Sequence, residues 1–187
     1  SSFILIIFWA SFEQAGGLMN IFTFQKTDRL IELINFQVPA SWFQSINPLM
    51  IIALGFYVSL FWYKLELKKI VSSSIIKIAV GIIIMGLGFV FMFFASLEYE
   101  IYGKSSMFWL ILAYLFHTIG ELCASPVILS YITKLSPKKL VSSIMGIYFA
   151  AIGIGNKLAG TIGQYSEKLG EKSIFLGITI VCITVGL

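Results

Sequence analysis

The sequence predicts an all-α membrane protein, built as a six-helix transmembrane bundle. Of its 187 residues, 58% are hydrophobic and only 12% are charged, and the mean hydropathy is +0.94. A soluble domain carries about 25% charged residues, so this chain has too little polar surface to face water. Inside lipid, a segment satisfies its backbone polar groups only in a helix or a closed barrel. Because the apolar runs are about 20 residues long, we expect helices.

Six apolar runs predict the spans of this bundle. They cover residues 3–24, 46–63, 71–95, 107–133, 140–163 and 173–187. We expect the last span to be truncated, because it is too short to cross a bilayer comfortably. The loops are short except for the first, at residues 25–45. Consecutive helices are therefore expected to run antiparallel in one bundle over residues 1–187.

The charge pattern and the motifs argue against several classes of function. The net charge is +4, and no basic stripe with interleaved aromatic residues indicates a nucleic-acid partner. The sequence lacks the phosphate-binding, zinc-hydrolase and serine-hydrolase motifs of common enzymes. We therefore expect neither a nucleic-acid-binding protein nor an enzyme, and we assign no catalytic residue.

Two glutamates lie near the middle of predicted spans, Glu13 in the first and Glu121 in the fourth. A charged side chain at this depth costs at least about 2.5–3.5 kcal/mol on insertion scales. Burial favours the protonated form of a carboxyl group and a neighbouring cation favours the ionised form, so such a group suits proton carriage or ammonium binding. Antiparallel spans can place both carboxylates at the same depth on facing helices. The alternative is a structural glutamate, held neutral or paired with a buried cation; the insertion cost of two such residues favours function.

One face of the fourth span collects small and polar side chains around its glutamate. Residues four positions apart share a helical face, and this face contains Ala113, His117, Glu121 and Ser125. Pro126 cannot donate a hydrogen bond to the carbonyl of Leu122, so we expect a broken helix one turn from Glu121. Broken helices beside charged residues expose backbone groups to the cavities of transporters.

The first and fifth spans carry related features. Trp9, Glu13, Gly17 and Asn20 share a face of the first span. Gly16 and Gly17 weaken that helix just beyond the glutamate. The fifth span carries a ladder of small residues at four-residue spacing, which predicts a close-packed contact with another helix: Ala151, Gly155, Ala159 and Gly163.

Two further polar residues have ordinary structural explanations. His117 could relay protons or bind a metal, but a lone histidine is more often a hydrogen-bonded packing residue. No third ligand is spaced near it, so we expect no metal site. Asn47 precedes Pro48 at the start of the second span, where this pair is a common helix start.

Five short stretches carry a family resemblance. They are FWASFEQ at residues 8–14, TDR at 27–29, QSINPL at 44–49, GELCASPV at 120–127 and GNKLAG at 155–160. Together they resemble the proton-dependent oligopeptide transporter family, a branch of the major facilitator superfamily. In order and spacing they are similar to the seventh to eleventh helices of that fold. The resemblance implies the C-terminal half of a major facilitator superfamily fold, with its twelfth helix truncated.

The resemblance also implies roles for individual residues. Glu13 matches a glutamate that takes part in proton coupling and in a gate salt bridge to the N-terminal half. Glu121 matches a glutamate where the amino terminus of the peptide binds, and Asn47 matches an asparagine that contacts the peptide. The remaining residues of the expected substrate site are Ser125, Tyr148 and Trp9. Tyr148 stands where relatives often carry tryptophan, a departure that bears on pocket size.

The leading hypothesis is therefore proton-coupled symport of di- and tripeptides by alternating access. Protons are the expected coupling ion and no other cofactor is expected. The expected partners are the peptide, protons, the lipid bilayer and the N-terminal half of the same transporter. The expected location is the cell membrane as a multi-pass protein, the bacterial inner membrane in particular.

Three alternatives remain open from the sequence. The first is a major facilitator transporter of another small substrate, such as nitrate or an amino-acid conjugate; Glu121 favours a substrate with a cationic end. The second is a membrane-embedded enzyme using Glu121 and His117, which lacks a recognisable nucleophile or metal. The third is a helical scaffold, which has no need of two costly glutamates.

Overall fold

The computed structural model describes residues 2–70, 73–137 and 139–187. Its α-helices in these ranges are α1 (Ser2–Phe12), α2 (Leu18–Lys26), α3 (Ala40–Gln44), α4 (Ile46–Leu67), α5 (Ser74–Tyr102), α6 (Met107–Leu135), α7 (Val141–Leu169) and α8 (Glu171–Gly186). Short 3-10 turns cover Glu13–Ala15 and Glu32–Ile34. The two-residue strands are β1 (Thr27–Asp28), β2 (Leu30–Ile31), β3 (Phe36–Gln37) and β4 (Ser105–Ser106). Strand β1 pairs in parallel with β4, and β2 pairs antiparallel with β3.

The first five predicted spans correspond to helical segments able to cross a membrane. Within the described residues these are Phe3–Lys26, Ala40–Leu67, Ser74–Tyr102, Met107–Leu135 and Val141–Ser166. Helix α8 covers the sixth predicted run and has 16 residues, fewer than the about 20 that a span needs. The predicted start of the third span at residue 71 lies outside the described residues.

The helices extend further than their apolar runs predicted. Helix α5 continues to Tyr102 and α7 to Leu169, so the predicted ends at residues 95 and 163 were too early. Each helix instead stops at a glycine with positive φ, Gly103 at 75° and Gly170 at 78°. Hydropathy marks where the chain leaves lipid, whereas a helix continues into water until such a residue ends it.

Helix α5 lies at the centre of the packed core, against α6 and α8. Two glycines allow α5 and α6 to approach closely. A Cβ atom on Gly81 would lie 2.7 Å from the carbonyl oxygen of Gly120, and one on Gly120 would lie 2.6 Å from that of Gly81. Close backbone approach through small residues is a common way for helices to associate in lipid. Helix α1 packs mainly on α7 and also contacts α5 and α8, and α4 packs on α6.

The two predicted weak points in the spans behave differently. The first span is interrupted as expected: α1 ends at Phe12 and α2 begins at Leu18, with the 3-10 turn and Gly16–Gly17 between them. The expectation of a broken helix at Pro126 was wrong, because α6 runs without interruption from Met107 to Leu135. Proline removes one hydrogen bond, and neighbouring helices can hold a membrane helix together around it.

Candidate functional site

Glu121 lies half-buried on α6 and is held by the start of α4. The Nδ2 of Asn47 donates hydrogen bonds to Oε2 of Glu121 at 3.0 Å and to Oγ1 of Thr118 at 3.2 Å. The Thr118 hydroxyl in turn donates to the carbonyl of Tyr114 at 2.8 Å. In the described part of the chain, no lysine, arginine or histidine forms an ion pair with Glu121. The carboxylate therefore has neutral donors and remains available to a cationic group.

Glu13 lies in the 3-10 turn between α1 and α2, half-buried and without an ion pair among the described residues. It lines a cavity of about 370 Å³ between this turn and α7. The other lining residues are Gly16, Gly17, Leu18, Ile21, Asn156, Ala159, Gly160 and Gly163. The lining of the cavity is mostly apolar, and its polar side chains among the described residues are those of Glu13 and Asn156.

The predicted ladder of small residues forms the contact between α7 and α1. Ala151, Gly155 and Ala159 are buried. A Cβ atom on Gly155 would lie 2.9 Å from the Cβ of Trp9 and 3.1 Å from the backbone nitrogen of Ala10. The predicted close-packed contact is confirmed at Gly155, whereas Gly163 lines the Glu13 cavity and has no described neighbour within 4 Å of where its Cβ would lie.

Other predicted substrate residues fall in two places. Tyr148 is buried on α7, and Trp9 is half-buried on α1, the helix against which α7 packs. The Trp9 Nε1–H has no hydrogen-bond partner within the described residues. Ser125 lies half-buried on α6, one turn beyond Glu121. The structure thus pairs Asn47 with Glu121, and it places Trp9 and Tyr148 on two helices that pack together.

The two glutamates lie against different helices. Glu13 faces α7, Glu121 contacts α4, and the cavity that Glu13 lines does not include Glu121. The roles assigned to the six predicted site residues remain predictions.

His117 is fully buried and packs against Phe89, with the ring centroids 4.5 Å apart. Packing was the expected role, but the expected hydrogen bond is absent: neither ring nitrogen has a partner in the described chain. A Cβ atom on Gly88 would lie 2.6 Å from Cδ2 of this ring, so the imidazole occupies space that a glycine leaves free. Within the described residues, no group of three or more His, Cys, Asp or Glu side chains could hold a metal ion.

Sequence reasoning missed three polar residues at these sites. Thr118 shares the donor amide of Asn47, and its position one turn before Glu121 was a signal that could have revealed it. Gln14 follows Glu13 directly, and its side chain bonds to α7. Asn156 interrupts the apolar pattern of α7 and lines the Glu13 cavity, but nothing local in the sequence indicates which helix it faces.

Comparisons with known proteins agree with this architecture. A family model described as PTR2, POT family, matches residues 2–178. The peptide transporter YePEPT of Yersinia enterocolitica is 40% identical over 169 residues, which are 87% of this chain and 33% of that protein. A di-/tripeptide transporter of Lactococcus lactis subsp. cremoris is 29% identical, over 97% of this chain and 37% of that protein. The chain thus spans about a third of the length of these curated relatives.

Solved structures show the same fold. A POT family transporter crystallised in complex with 5-aminolevulinic acid superimposes with a TM-score of 0.87 at 28% identity, covering 99% of this chain and 38% of that one. A POT family transporter in complex with a thioalcohol-conjugated peptide gives the same values. The fold and the two half-buried glutamates together define a multi-pass membrane bundle of the kind found in transporters. The chain belongs to the POT family. The predicted family and the all-α membrane class are confirmed, and the relatives are transporters, not enzymes.

Proposed function

We propose that this chain is the C-terminal half of a transporter that carries di- and tripeptides across the membrane together with protons. The observation that carries the proposal is the Glu121 carboxylate, which is half-buried in an apolar bundle and held by Asn47 with no cation among its described partners. A charged group at this depth is costly and is expected to have a function. Membership of the POT family and the relatives named as peptide transporters support it.

Peptide recognition follows from the chemistry around Glu121. A peptide is a zwitterion, and its ammonium group would gain the carboxylate as a charge partner in a setting of low dielectric constant. Asn47 would keep the carboxylate oriented through its 3.0 Å hydrogen bond. Ser125 and the carbonyl of Leu122, which Pro126 leaves without its helical donor, would accept further hydrogen bonds. Trp9 and Tyr148 would form an aromatic wall for side chains.

Proton coupling would use Glu13. Its carboxylate lies at the interruption of the first span, beside a cavity whose other polar side chain in the described lining is that of Asn156. Its proposed role is to carry the proton through the transport cycle. Protons are then the coupling ion, and no other cofactor is required. In the complete protein, Glu13 would also form a gate salt bridge to the N-terminal half.

Transport would proceed by alternating access. The chain would rock against the N-terminal half in the lipid bilayer, opening the shared peptide site to one side at a time. A bacterial inner membrane is the proposed location, in line with the bacterial origin of the relatives.

Substitution of Glu121 in the full-length transporter tests this proposal. Removing one partner of a buried charge pair costs about 3–5 kcal/mol, and hydration of an open cavity reduces that loss. We therefore expect Glu121→Gln to bind a dipeptide roughly ten- to a thousandfold more weakly, at about 1.4 kcal/mol per tenfold.

A dipeptide with an acetylated amine is the matched control ligand. It is a poor ligand already, and its competition with a labelled dipeptide should change little in Glu121→Gln. Equal weakening of both ligands would make Glu121 a structural residue and would remove the physical basis for peptide recognition.

A further inference from the structure

Tyr114 connects the turn that carries Glu13 to the helix that carries Glu121. Tyr114 belongs to α6 and is 1% exposed. Its hydroxyl donates a hydrogen bond of 3.0 Å to the carbonyl oxygen of Ala15, the last residue of the 3-10 turn that begins at Glu13. This hydrogen bond joins two residues that are 99 positions apart in the sequence.

The carbonyl of Ala15 needs a donor from elsewhere, because the helix is interrupted at this point. Gly17 already donates to the carbonyl of Glu13 at 3.2 Å, and Ile21 donates to that of Gly17 at 3.1 Å. A buried carbonyl without a partner costs about 1–3 kcal/mol. The Tyr114 hydroxyl therefore stabilises the interrupted form of the first span specifically, since an unbroken helix would satisfy this carbonyl by itself.

Helix α6 carries the other end of the connection. Tyr114, Thr118 and Glu121 occupy successive turns on one side of the helix, and α6 is continuous through this stretch. Seven residues of α-helix span about 10 Å. Helix α6 is therefore a continuous connection from the residue that bonds to the Glu13 turn to the residue that bonds to Asn47.

The turn is fixed on its other side as well. Gln14 is fully buried, and its Nε2 donates to the carbonyl of Ala159 on α7 at 3.2 Å. Glu13 is the one titratable residue in the described lining of its cavity, while Lys157 of α7 is exposed and outside that lining. Glu13 therefore lies on a turn that is held between α7 and α6.

We propose that Tyr114 is a positioning residue that couples the state of Glu13 to the affinity of the Glu121 site for peptide. The proposal rests on the function proposed above. Coupling between two sites is a free energy and is reciprocal, so it can be measured by binding alone, without transport. It needs no contact between Tyr114 and the substrate.

A double-mutant cycle in the full-length transporter tests the coupling. Glu13→Gln imitates the protonated carboxyl, and Tyr114→Phe removes the hydroxyl while keeping the ring. Dipeptide affinity is measured for the four combinations at one pH. We expect Glu13→Gln to change the affinity by about five- to tenfold, within the usual range of coupling energies, and this ratio to fall below about twofold when Phe replaces Tyr114.

Tyr99→Phe is the control variant. Tyr99 is half-buried on α5, has its ring near Phe22, and has no hydrogen bond to the Glu13 turn in the described structure. The Glu13→Gln ratio should keep its full value in this background. Tyr114→Leu, checked for folding by its melting temperature, should reduce the ratio as Tyr114→Phe does.

An unchanged ratio in both Tyr114 variants would overturn the inference. So would a Glu13→Gln ratio near one in the otherwise native protein, because no coupling would then exist for Tyr114 to carry. Proton-driven uptake of Glu13→Gln, assayed separately, distinguishes these results from a failure of the proposed function. Loss of driven uptake with an unchanged ratio would leave that function intact and reject the role of Tyr114.

Discussion

The two glutamate regions of this bundle are built in opposite ways. Glu13 lies where the first span is interrupted, on a 3-10 turn next to a cavity. Glu121 lies in the middle of a continuous helix, and its carboxylate accepts a hydrogen bond from Asn47. Glycines follow the first glutamate, whereas a proline that does not break the helix follows the second.

This difference fits different tasks for two residues of the same type. A binding group is most effective when it is held in its productive position before the ligand arrives. A group that couples two states must change its surroundings between them. The fixed Glu121 suits recognition, and Glu13, on an interrupted helix beside a cavity, suits coupling.

The largest expected effect comes from Glu13→Gln in the complete transporter. A permanently neutral side chain cannot take up and release a proton, so uptake driven by a pH gradient should be abolished. Counterflow exchange of peptide needs no net proton movement and should remain partly active. Uptake and exchange are both measured in proteoliposomes. If uptake by Glu13→Gln still responded to the pH gradient, the assignment of proton coupling to Glu13 would be wrong.

Asn47→Ala should give the next largest effect, on binding. A hydrogen bond to a charged group contributes about 1.5–3 kcal/mol, so dipeptide affinity should fall at least about tenfold. Uptake driven by a pH gradient should persist at saturating dipeptide, because Asn47 does not contact the Glu13 turn in the described structure. Thr118→Val is the milder companion, since it removes the second acceptor and leaves the bond to Glu121. If Asn47→Ala bound the dipeptide as tightly as the native protein, the hydrogen bond from Asn47 would not be needed to orient the Glu121 carboxylate for binding.

The smallest effect is expected from a pair of glycines on α7. Gly155→Ala would force a Cβ atom to within 2.9 Å of Trp9 and 3.1 Å of the α1 backbone. Overpacking costs about 1–3 kcal/mol, and the better helix propensity of alanine returns about 1 kcal/mol. We expect a lower melting temperature and weaker proton-driven uptake, because the contact between α1 and α7 would be displaced.

Gly153→Ala is the control variant, and its expected change in melting temperature has the opposite sign. Nothing lies within 4 Å of the place where its Cβ would be, and the position is exposed. The substitution should raise the melting temperature slightly by propensity alone. Equal effects of the two variants would mean that the contact between α1 and α7 is not specific.

Much of the fold could be predicted from local properties. Composition and run length predict a helical membrane protein because lipid leaves the backbone few alternatives. The interruption after Glu13 is predicted by Gly16 and Gly17, and the α7 contact by Gly155 and its neighbours in the ladder. The helix ends at Gly103 and Gly170 were missed because hydropathy reports the edge of the bilayer, not the end of a helix.

The site could be predicted only in part. Glu13 and Glu121 stand out by their insertion cost, which is a property of each residue and its span. Their partners do not stand out. The buried His117 was expected to form a hydrogen bond, yet it packs against Phe89 with both nitrogens free in the described structure. Pro126 was expected to break α6, yet the helix continues through it.

By itself the sequence determined that this chain forms membrane helices, approximately where they lie, and which two glutamates carry a high insertion cost. Only the tertiary structure decided that Asn47 orients Glu121, that Gln14 bonds to α7, and that the Tyr114 hydroxyl holds the Glu13 turn. The reason is physical. Helix formation in lipid is governed by hydropathy and hydrogen bonding within one segment. A bond between residues 74 or 99 positions apart depends on how whole helices rotate and pack against each other.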